Sequence, residues 1–171
     1  MPLPKKIVVI GPESTGKSTL CEQLAAHFNS LWVPEFAREY LLVLGRPYNY
    51  DDLLIIAKGQ LEQEDRITAS AKSPVIFIDT NMYVMKVWCE FVFGKCHAFI
   101  LDEIVKRKYD GYLLCNTDLP WIADELREYP DYESRERLYY MYKDLMINQQ
   151  TPWFDISGGY EERLEKAIVN C

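Results

Sequence analysis

Eight residues near the start of the chain, residues 11–18, have the types and the spacing of a phosphate-binding loop. They read Gly-Pro-Glu-Ser-Thr-Gly-Lys-Ser and fit the pattern G-x-x-x-x-G-K-[ST]. The two glycines let the backbone wrap around an anion, so that a row of N–H groups and the N-terminus of the following helix point at phosphate. The loop therefore predicts chemistry on a nucleotide polyphosphate.

The side chains of this loop predict how ATP and Mg²⁺ would be held. Lys17 is expected to reach the β- and γ-phosphates of ATP, and Ser18 is expected to bind Mg²⁺. The alternative is a glycine-rich turn that binds nothing, and the apolar run before the loop and the helical pattern after it disfavour that alternative. The residues expected to contact the nucleotide are Gly11, Glu13, Ser14, Thr15, Gly16, Lys17, Ser18 and Thr19.

Asp79 and Glu35 are the candidate residues for metal binding and proton transfer. Asp79 follows the apolar run 75–78, and an acid in that place commonly binds Mg²⁺ beside a phosphate loop; the alternative is a helix N-cap. Glu35 begins a predicted helix, where its carboxylate could accept the proton of an acceptor hydroxyl; the alternative is a favourable helix-start charge that pairs with Arg38. The side chains of Glu35, Arg38 and Asp79 are all expected to contact the substrate. The sequence leaves open whether Glu35 or Asp79 takes the proton.

A charged segment, residues 121–137, is predicted to form a lid of two helical pieces separated by a proline. Phosphoryl transfer needs cations on the migrating charge, so Arg127 and Arg135 are expected to contact phosphate when the lid closes. Arg137 lies four residues after Glu133 and is expected to pair with it instead. The alternative interpretation of the segment is a solvated, charge-rich surface.

Alternating strands and helices must position these residues. Helices that separate successive strands predict an α/β fold, with a five-stranded parallel sheet covered by helices on both faces, in one domain of residues 1–171. Ligands bind at the carboxyl ends of the strands in such sheets, so Lys17, Glu35 and Asp79 are expected to meet in one cleft. The predicted strands are 7–10, 31–33, 75–78, 111–115 and 153–156, and the predicted helices after the loop are 19–28, 35–44, 51–71, 81–93, 97–108, 133–148 and 160–169.

Composition and charge disfavour several classes of function. With 171 residues, 49% of them hydrophobic and 26% charged, the chain is ordinary for one globular domain. No apolar stretch is long enough to cross a bilayer, so no membrane contact is expected. Five cysteines without a C-x-x-C pair and only two histidines predict neither disulfides nor zinc, and a cytoplasmic location is expected. A net charge of −7 repels polyanions, so nucleic acid is not an expected partner, and the oligomeric state is not predicted.

Four stretches together resemble the kinase domain of NadR-type nicotinamide riboside kinases. They are the phosphate loop, Glu-Phe-Ala-Arg-Glu-Tyr at 35–40, Phe-Ile-Asp-Thr at 77–80 and Pro-Trp-Ile-Ala-Asp-Glu-Leu-Arg at 120–127. The resemblance spans nearly the whole chain. It implies a P-loop kinase that transfers the γ-phosphoryl group of ATP to the 5′-hydroxyl of nicotinamide riboside in NAD salvage. Bifunctional members also carry an adenylyltransferase domain with an H-x-G-H motif, and this chain is expected neither to make NAD itself nor to act as a repressor.

The substrate carries a fixed positive charge on its pyridinium ring, which favours aromatic faces and carboxylates. Trp121 is the predicted stacking residue, whereas Tyr83 and Trp88 are interpreted as core residues because their spacing is helical. Two alternative functions stay open. One is a GTP- or ATP-binding switch, or a lipid-associated module, that lacks an acceptor. The other is a kinase for a different nucleoside.

Overall fold

Strands and helices alternate along the chain, as the sequence predicts. The structure of the protein is a computed structural model that describes residues 2–171. The strands are β1 (Lys5–Ile10), β2 (Trp32–Val33), β3 (Val75–Asp79), β4 (Gly111–Cys115) and β5 (Trp153–Ile156). The helices are α1 (Lys17–His27), α2 (Phe36–Leu44), α3 (Tyr50–Ser70), α4 (Met82–Phe93), α5 (Ala98–Lys106), α6 (Tyr132–Ile147) and α7 (Tyr160–Val169). The predicted bounds of these elements are confirmed to within two residues.

The five strands form one parallel sheet in the order β2-β3-β1-β4-β5. Every residue of β3 and of β4 is buried, which explains why these strands read as unbroken apolar runs. Strands β1 and β3 are direct neighbours, with Val9 opposite Asp79. The phosphate loop and Asp79 therefore lie side by side at the carboxyl edge of the sheet.

Helices cover both faces of the sheet. Successive side chains of each strand point to opposite faces, so both faces carry apolar side chains that the helices bury. Ile7 and Val9 of β1 pack with α1 and α7, whereas Val8 and Ile10 pack with α4 and α6. A third apolar cluster joins α2, α3, α4 and α5. Within residues 2–171, no helix has both the length and the hydrophobicity that a membrane crossing needs.

The predicted helical lid is wrong in its first half. Residues 121–131 have no helix, only a turn at 125–126, and α6 begins at Tyr132 with Asp131 as its N-cap. The reason is that side chains distant in sequence bind the backbone N–H groups of this stretch, which removes the donors that a helix needs. We call residues 121–131 the covering segment.

Gly59 allows helix α2, which follows Glu35 and carries Arg38, to pack closely on α3. A Cβ atom at Gly59 would overlap the ring of Phe36. Glycine is otherwise unfavourable in a helix by about 1 kcal/mol relative to alanine. The residue is therefore explained by the close approach of the two helices.

We expect Gly59→Ala to lower the free energy of unfolding by about 1–3 kcal/mol, because displacing the Phe36 ring costs more than the gain in helix propensity. Urea unfolding followed by circular dichroism measures this change. The control is the same substitution in a Phe36→Ala background, where the ring is absent and Gly59→Ala should be stabilising. A stabilising effect of Gly59→Ala in the wild-type chain would contradict the packing described here.

Candidate active site

The phosphate loop joins β1 to α1 and has the backbone that its two glycines predict. Gly11 has a φ of 144° and Gly16 a φ of 79°, and a Cβ atom at Gly11 would lie 2.8 Å from the carbonyl oxygen of Cys115. The Thr15 hydroxyl and the Lys17 ammonium donate to the Pro12 carbonyl oxygen at 2.7 and 2.8 Å. The loop is therefore closed by its own side chains.

Ser18 and Asp79, the predicted metal ligands, are in direct contact. The Ser18 hydroxyl donates to Asp79 Oδ2 at 2.5 Å, and the buried Asp79 Oδ1 has no hydrogen-bond partner among the described residues. Burial raises the pKa of Asp79, and the Lys17 charge opposes that shift. Hydroxyl and carboxylate oxygens suit Mg²⁺. Among residues 2–171, no three His, Cys, Asp or Glu side chains form a metal cluster, so an ion here would take its other ligands from phosphate and water.

Thr80 fixes the backbone next to Asp79 in an unusual conformation. Its φ is 81°, in the left-handed region that β-branched residues rarely adopt. The next residue, Asn81, accepts the N–H of Tyr83 and caps α4. Such strain costs of order 1–3 kcal/mol and is typical of functional sites. This strained residue directly follows the carboxylate of Asp79, which contacts the phosphate loop.

Glu35 lies in the same cavity as the phosphate loop. The cavity has a volume of about 540 Å³, and Glu35, Arg38 and Lys17 all line it. Burial, helped by the Asp79 charge, raises the pKa of Glu35 to about 7, while Lys17 and Arg38 oppose the shift. Glu35 is the N-cap residue of α2 but makes no side-chain capping bond. Arg38, which the alternative interpretation pairs with Glu35, donates to the carboxylate of Asp124 at 2.6 Å.

Gln60 is a positioning residue that sequence reasoning missed. It lies on α3, is 1% exposed, and accepts the N–H of Phe36 at 2.8 Å. Its amide group also donates to the Pro34 and Asp79 carbonyl oxygens, at 3.3 and 3.5 Å. One side chain therefore links the residues on either side of Glu35 to the end of β3. No local pattern marks it, because its partners lie 19 to 26 residues away.

The rest of the cavity has apolar and aromatic walls, as small-molecule sites usually do. Trp88, interpreted from its spacing as a core residue, lines the cavity, whereas Trp121 is not among its lining residues. The Trp121 indole nitrogen is buried without a partner. The lining side chains of α4 and α6 are Val84, Val87, Trp88, Phe91, Val92, Leu138 and Tyr142, and the other aromatic ones are Trp32, Tyr129 and Tyr160.

The predicted arginines separate into different environments. Arg127 lines the cavity and donates to the Ile122 carbonyl oxygen. Arg135 is 5% exposed and donates to the carbonyl oxygens of Ser14 and Leu119, at 3.4 and 3.2 Å, so it contacts the backbone of the phosphate loop. Its phosphate contact stays a prediction.

The predicted pairing of Arg137 with Glu133 is wrong. The Arg137 guanidinium lies over the ring of Phe91, 5.4 Å from its centre, and in residues 2–171 no ion pair joins it to Glu133. An aromatic face competes well with an exposed ion pair for a guanidinium, since exposed pairs contribute little.

Arg163 of α7 is a second positioning residue that sequence reasoning missed. It is 2% exposed and donates to three backbone carbonyl oxygens, those of Thr15, Asn116 and Gly158, at 2.8, 3.0 and 2.7 Å. It also pairs with Asp118. A single buried cation therefore links the phosphate loop to the residues that follow β4 and β5.

A family profile described as AAA domain matches residues 6–163 of the chain, and curated relatives match it in sequence. The "Trifunctional NAD biosynthesis/regulator protein NadR" of Escherichia coli strain K12 is 30% identical over 171 residues, which cover 98% of this chain and 41% of the relative. The protein of the same name from Salmonella typhimurium strain LT2 is 33% identical over 127 residues, 72% of this chain and 31% of the relative. The chain thus spans less than half the length of these relatives.

Solved structures share the fold. A crystal structure of NadR protein in complex with NR has a TM-score of 0.81 at 24% identity, and one in complex with NAD and AMP-PNP has a TM-score of 0.75 at 24% identity. Each match covers 98% of this chain and 48% of the other. Thymidylate kinase from Ehrlichia chaffeensis matches with a TM-score of 0.67 at 15% identity, covering 99% of this chain and all of that one.

We expect Glu35→Gln to make the protein more stable than the wild type at pH 8, by of order 1–3 kcal/mol, and no more stable at pH 4. The pKa of Glu35 is raised from 4.5 to about 7, so the stability that its neutral form contributes is present below about 4.5 and lost as the pH rises to about 7. Glutamine stays neutral throughout. Urea unfolding across this range measures the difference.

The matched control is Glu39→Gln, the same change at an exposed position of the same helix. Its stability should follow the wild-type pH dependence. Parallel pH profiles for Glu35→Gln and the wild type would show that the pKa of Glu35 is not raised by desolvation and the Asp79 charge.

Proposed function

We propose that this chain, which belongs to the AAA domain family, is a Mg²⁺-dependent kinase that phosphorylates the 5′-hydroxyl of nicotinamide riboside with ATP. The products would be nicotinamide mononucleotide and ADP. The observation that carries this proposal is the meeting of the phosphate loop and Glu35 in one cavity with aromatic walls. The similarity to NadR, a protein named for NAD biosynthesis, over 98% of the chain supports the choice of acceptor. A cytoplasmic location stays a prediction.

Binding of the nucleotide would use the backbone N–H groups of residues 13–18 and the N-terminus of α1. Lys17 would leave the Pro12 carbonyl and donate to the β- and γ-phosphates. Ser18 and Asp79 would hold Mg²⁺, which when bound neutralises charge on the phosphates. The unpartnered Asp79 Oδ1 supports this assignment, because a buried carboxylate oxygen is costly without a donor or a cation.

Glu35 is the proposed general base. Asp79 is fully buried and accepts the Ser18 hydroxyl, whereas Glu35 lines the cavity, and no group of residues 2–171 donates a hydrogen bond to its carboxylate in competition with an acceptor. In the reaction, the 5′-oxygen forms a bond to the γ-phosphorus while the bond from that phosphorus to the β,γ-bridging oxygen breaks. The hydroxyl proton passes to Glu35, and ADP leaves with the bridging oxygen.

The acceptor would lie between α4 and α6. Aromatic rings that line this half of the cavity, those of Trp88, Phe91 and Tyr129, offer faces to a pyridinium cation. The carboxylate of Glu35 would add electrostatic attraction. Because Trp121 does not line the cavity, we assign the stacking role to these rings instead.

Transition-state charge would be stabilised by Arg127, which lines the cavity from the covering segment. The covering segment would also exclude water from the transferred phosphoryl group. Both roles require the segment to stay over the loop. A nucleotide-binding switch would need no space for an acceptor, so the apolar and aromatic residues that line the cavity together with the phosphate loop favour a kinase.

We expect the purified protein to convert nicotinamide riboside and ATP to nicotinamide mononucleotide and ADP in the presence of Mg²⁺. Lys17→Ala should lower kcat/KM by about a thousandfold or more, since it removes charge stabilisation of the transferred group. Glu35→Gln should lower kcat by about 10²–10⁴-fold with ATP affinity retained. The wild-type kcat/KM should rise with pH through about 7, as Glu35 loses its proton, and Glu35→Gln should lack this rise.

The control is Glu39→Gln, whose side chain is exposed and does not line the cavity, and whose activity should equal that of the wild type. A panel of nucleosides tests the acceptor in the same assay. Turnover of another nucleoside alone would reject nicotinamide riboside but keep the kinase. ATP or GTP hydrolysis without any phosphorylated acceptor, unchanged in Glu35→Gln, would reject the kinase in favour of a switch.

A further inference from the structure

Two side chains of the phosphate loop form hydrogen bonds with the covering segment. Glu13 Oε1 accepts the backbone N–H of Glu128 at 2.9 Å and that of Tyr129 at 2.5 Å. The Ser14 hydroxyl oxygen accepts the backbone N–H of Ile122 at 2.8 Å. The loop therefore bonds directly to both ends of the covering segment.

The chemistry of Glu13 explains why its side chain has this partner. An ionised carboxylate accepts hydrogen bonds and donates none, so it cannot bond to phosphate oxygens. A negative charge beside a polyphosphate is also repelled by it. The Glu13 side chain is therefore unsuited to the nucleotide contact predicted from its position in the loop, and only the backbone of Glu13 suits that contact.

The covering segment depends on such bonds because it has no helix or strand to satisfy its N–H groups. Its other side is held by Asp124, which pairs with Arg38 at 2.6 Å, and by Glu128, which accepts the Tyr48 hydroxyl at 2.6 Å. The segment thus spans from the phosphate loop to α2 and the turn that follows it. The cavity lies beneath this span, lined by Arg127 and Tyr129 among others.

We propose that Glu13 is a positioning residue that couples order in the phosphate loop to closure of the covering segment. The inference rests on the proposed kinase function. A polyphosphate held by the N–H groups of residues 13–18 fixes the backbone of Glu13, and a fixed Glu13 carboxylate holds the N–H groups of Glu128 and Tyr129. Arg127, which lines the cavity from the same segment, is held there together with Glu128 and Tyr129. The part of the cavity that binds the acceptor is therefore completed only when the nucleotide is bound to the phosphate loop.

Two consequences separate this role from a purely structural one. Without Glu13, the N–H groups of Glu128 and Tyr129 would turn to water, and nucleotide binding would no longer protect them. Water would also reach the transferred phosphoryl group, so ADP would form in excess over the phosphorylated acceptor. Hydrogen exchange in the strands of the sheet would be unaffected.

The test is amide hydrogen exchange at Glu128 and Tyr129, with and without Mg²⁺ and a non-hydrolysable ATP analogue. In the wild type, we expect the analogue to slow exchange at both amides. In Glu13→Ala, exchange should be at least about tenfold faster with the analogue bound, since two charge-assisted hydrogen bonds are lost. Amides of β4 should be unchanged.

Three further variants give the comparison its controls. Glu13→Gln keeps an acceptor oxygen at the same distance and should restore much of the protection, whereas Glu13→Asp keeps the charge but is one methylene too short and should behave like Glu13→Ala. Glu22→Ala removes a carboxylate from the exposed side of α1 and should match the wild type. The aspartate and glutamine variants decide the question if Glu13→Ala does not fold.

Wild-type exchange at Glu128 and Tyr129 in Glu13→Ala or Glu13→Asp would overturn the proposal. The ratio of ADP to phosphorylated acceptor gives a second readout. It should be near one in the wild type, above one in Glu13→Ala and intermediate in Glu13→Gln, and a ratio near one in Glu13→Ala would also overturn the coupling. If the wild type phosphorylates no acceptor, the kinase proposal fails while the exchange measurement still decides the role of Glu13.

Discussion

A pair of carboxylates held beside one lysine is the constraint on which the rest of this structure depends. Burial raises the pKa of both Glu35 and Asp79, and the Lys17 charge opposes both shifts. Acids in such surroundings are tolerated only where cations and hydrogen-bond donors face them. Adjacent parallel strands, with Val9 opposite Asp79, bring these groups together. The apolar strands beneath them contribute the stability that offsets the arrangement.

Much of this fold could be predicted because its signals are local. Buried parallel strands read as unbroken apolar runs, as β3 does, and the phosphate loop is a contiguous pattern with two required glycines. The rule that ligands bind at the carboxyl ends of parallel strands then brings Glu35 and Asp79 to the phosphate loop, where the structure has them. The resemblance to NadR-type kinases is confirmed by a relative that matches 98% of the chain.

The rest could not be predicted because its causes are distant in sequence. The covering segment is irregular because Glu13, 115 and 116 residues away, accepts two of its N–H groups. Gln60 and Arg163 look like ordinary helix residues, and only the folded chain brings their backbone partners to them. Helical spacing predicts Trp88 as a core residue. In the structure its side chain packs against the third apolar cluster and also lines the cavity, because one helix face can contact both.

The fold holds the Glu35 carboxyl in surroundings that raise its pKa, so that it can take a proton near neutral pH. The most direct measurement is the ¹³C chemical shift of the Glu35 side-chain carboxyl in the labelled protein, titrated with pH and assigned by Glu35→Gln. The account predicts a midpoint at about 7. A midpoint at the ordinary value of 4.5 would contradict it.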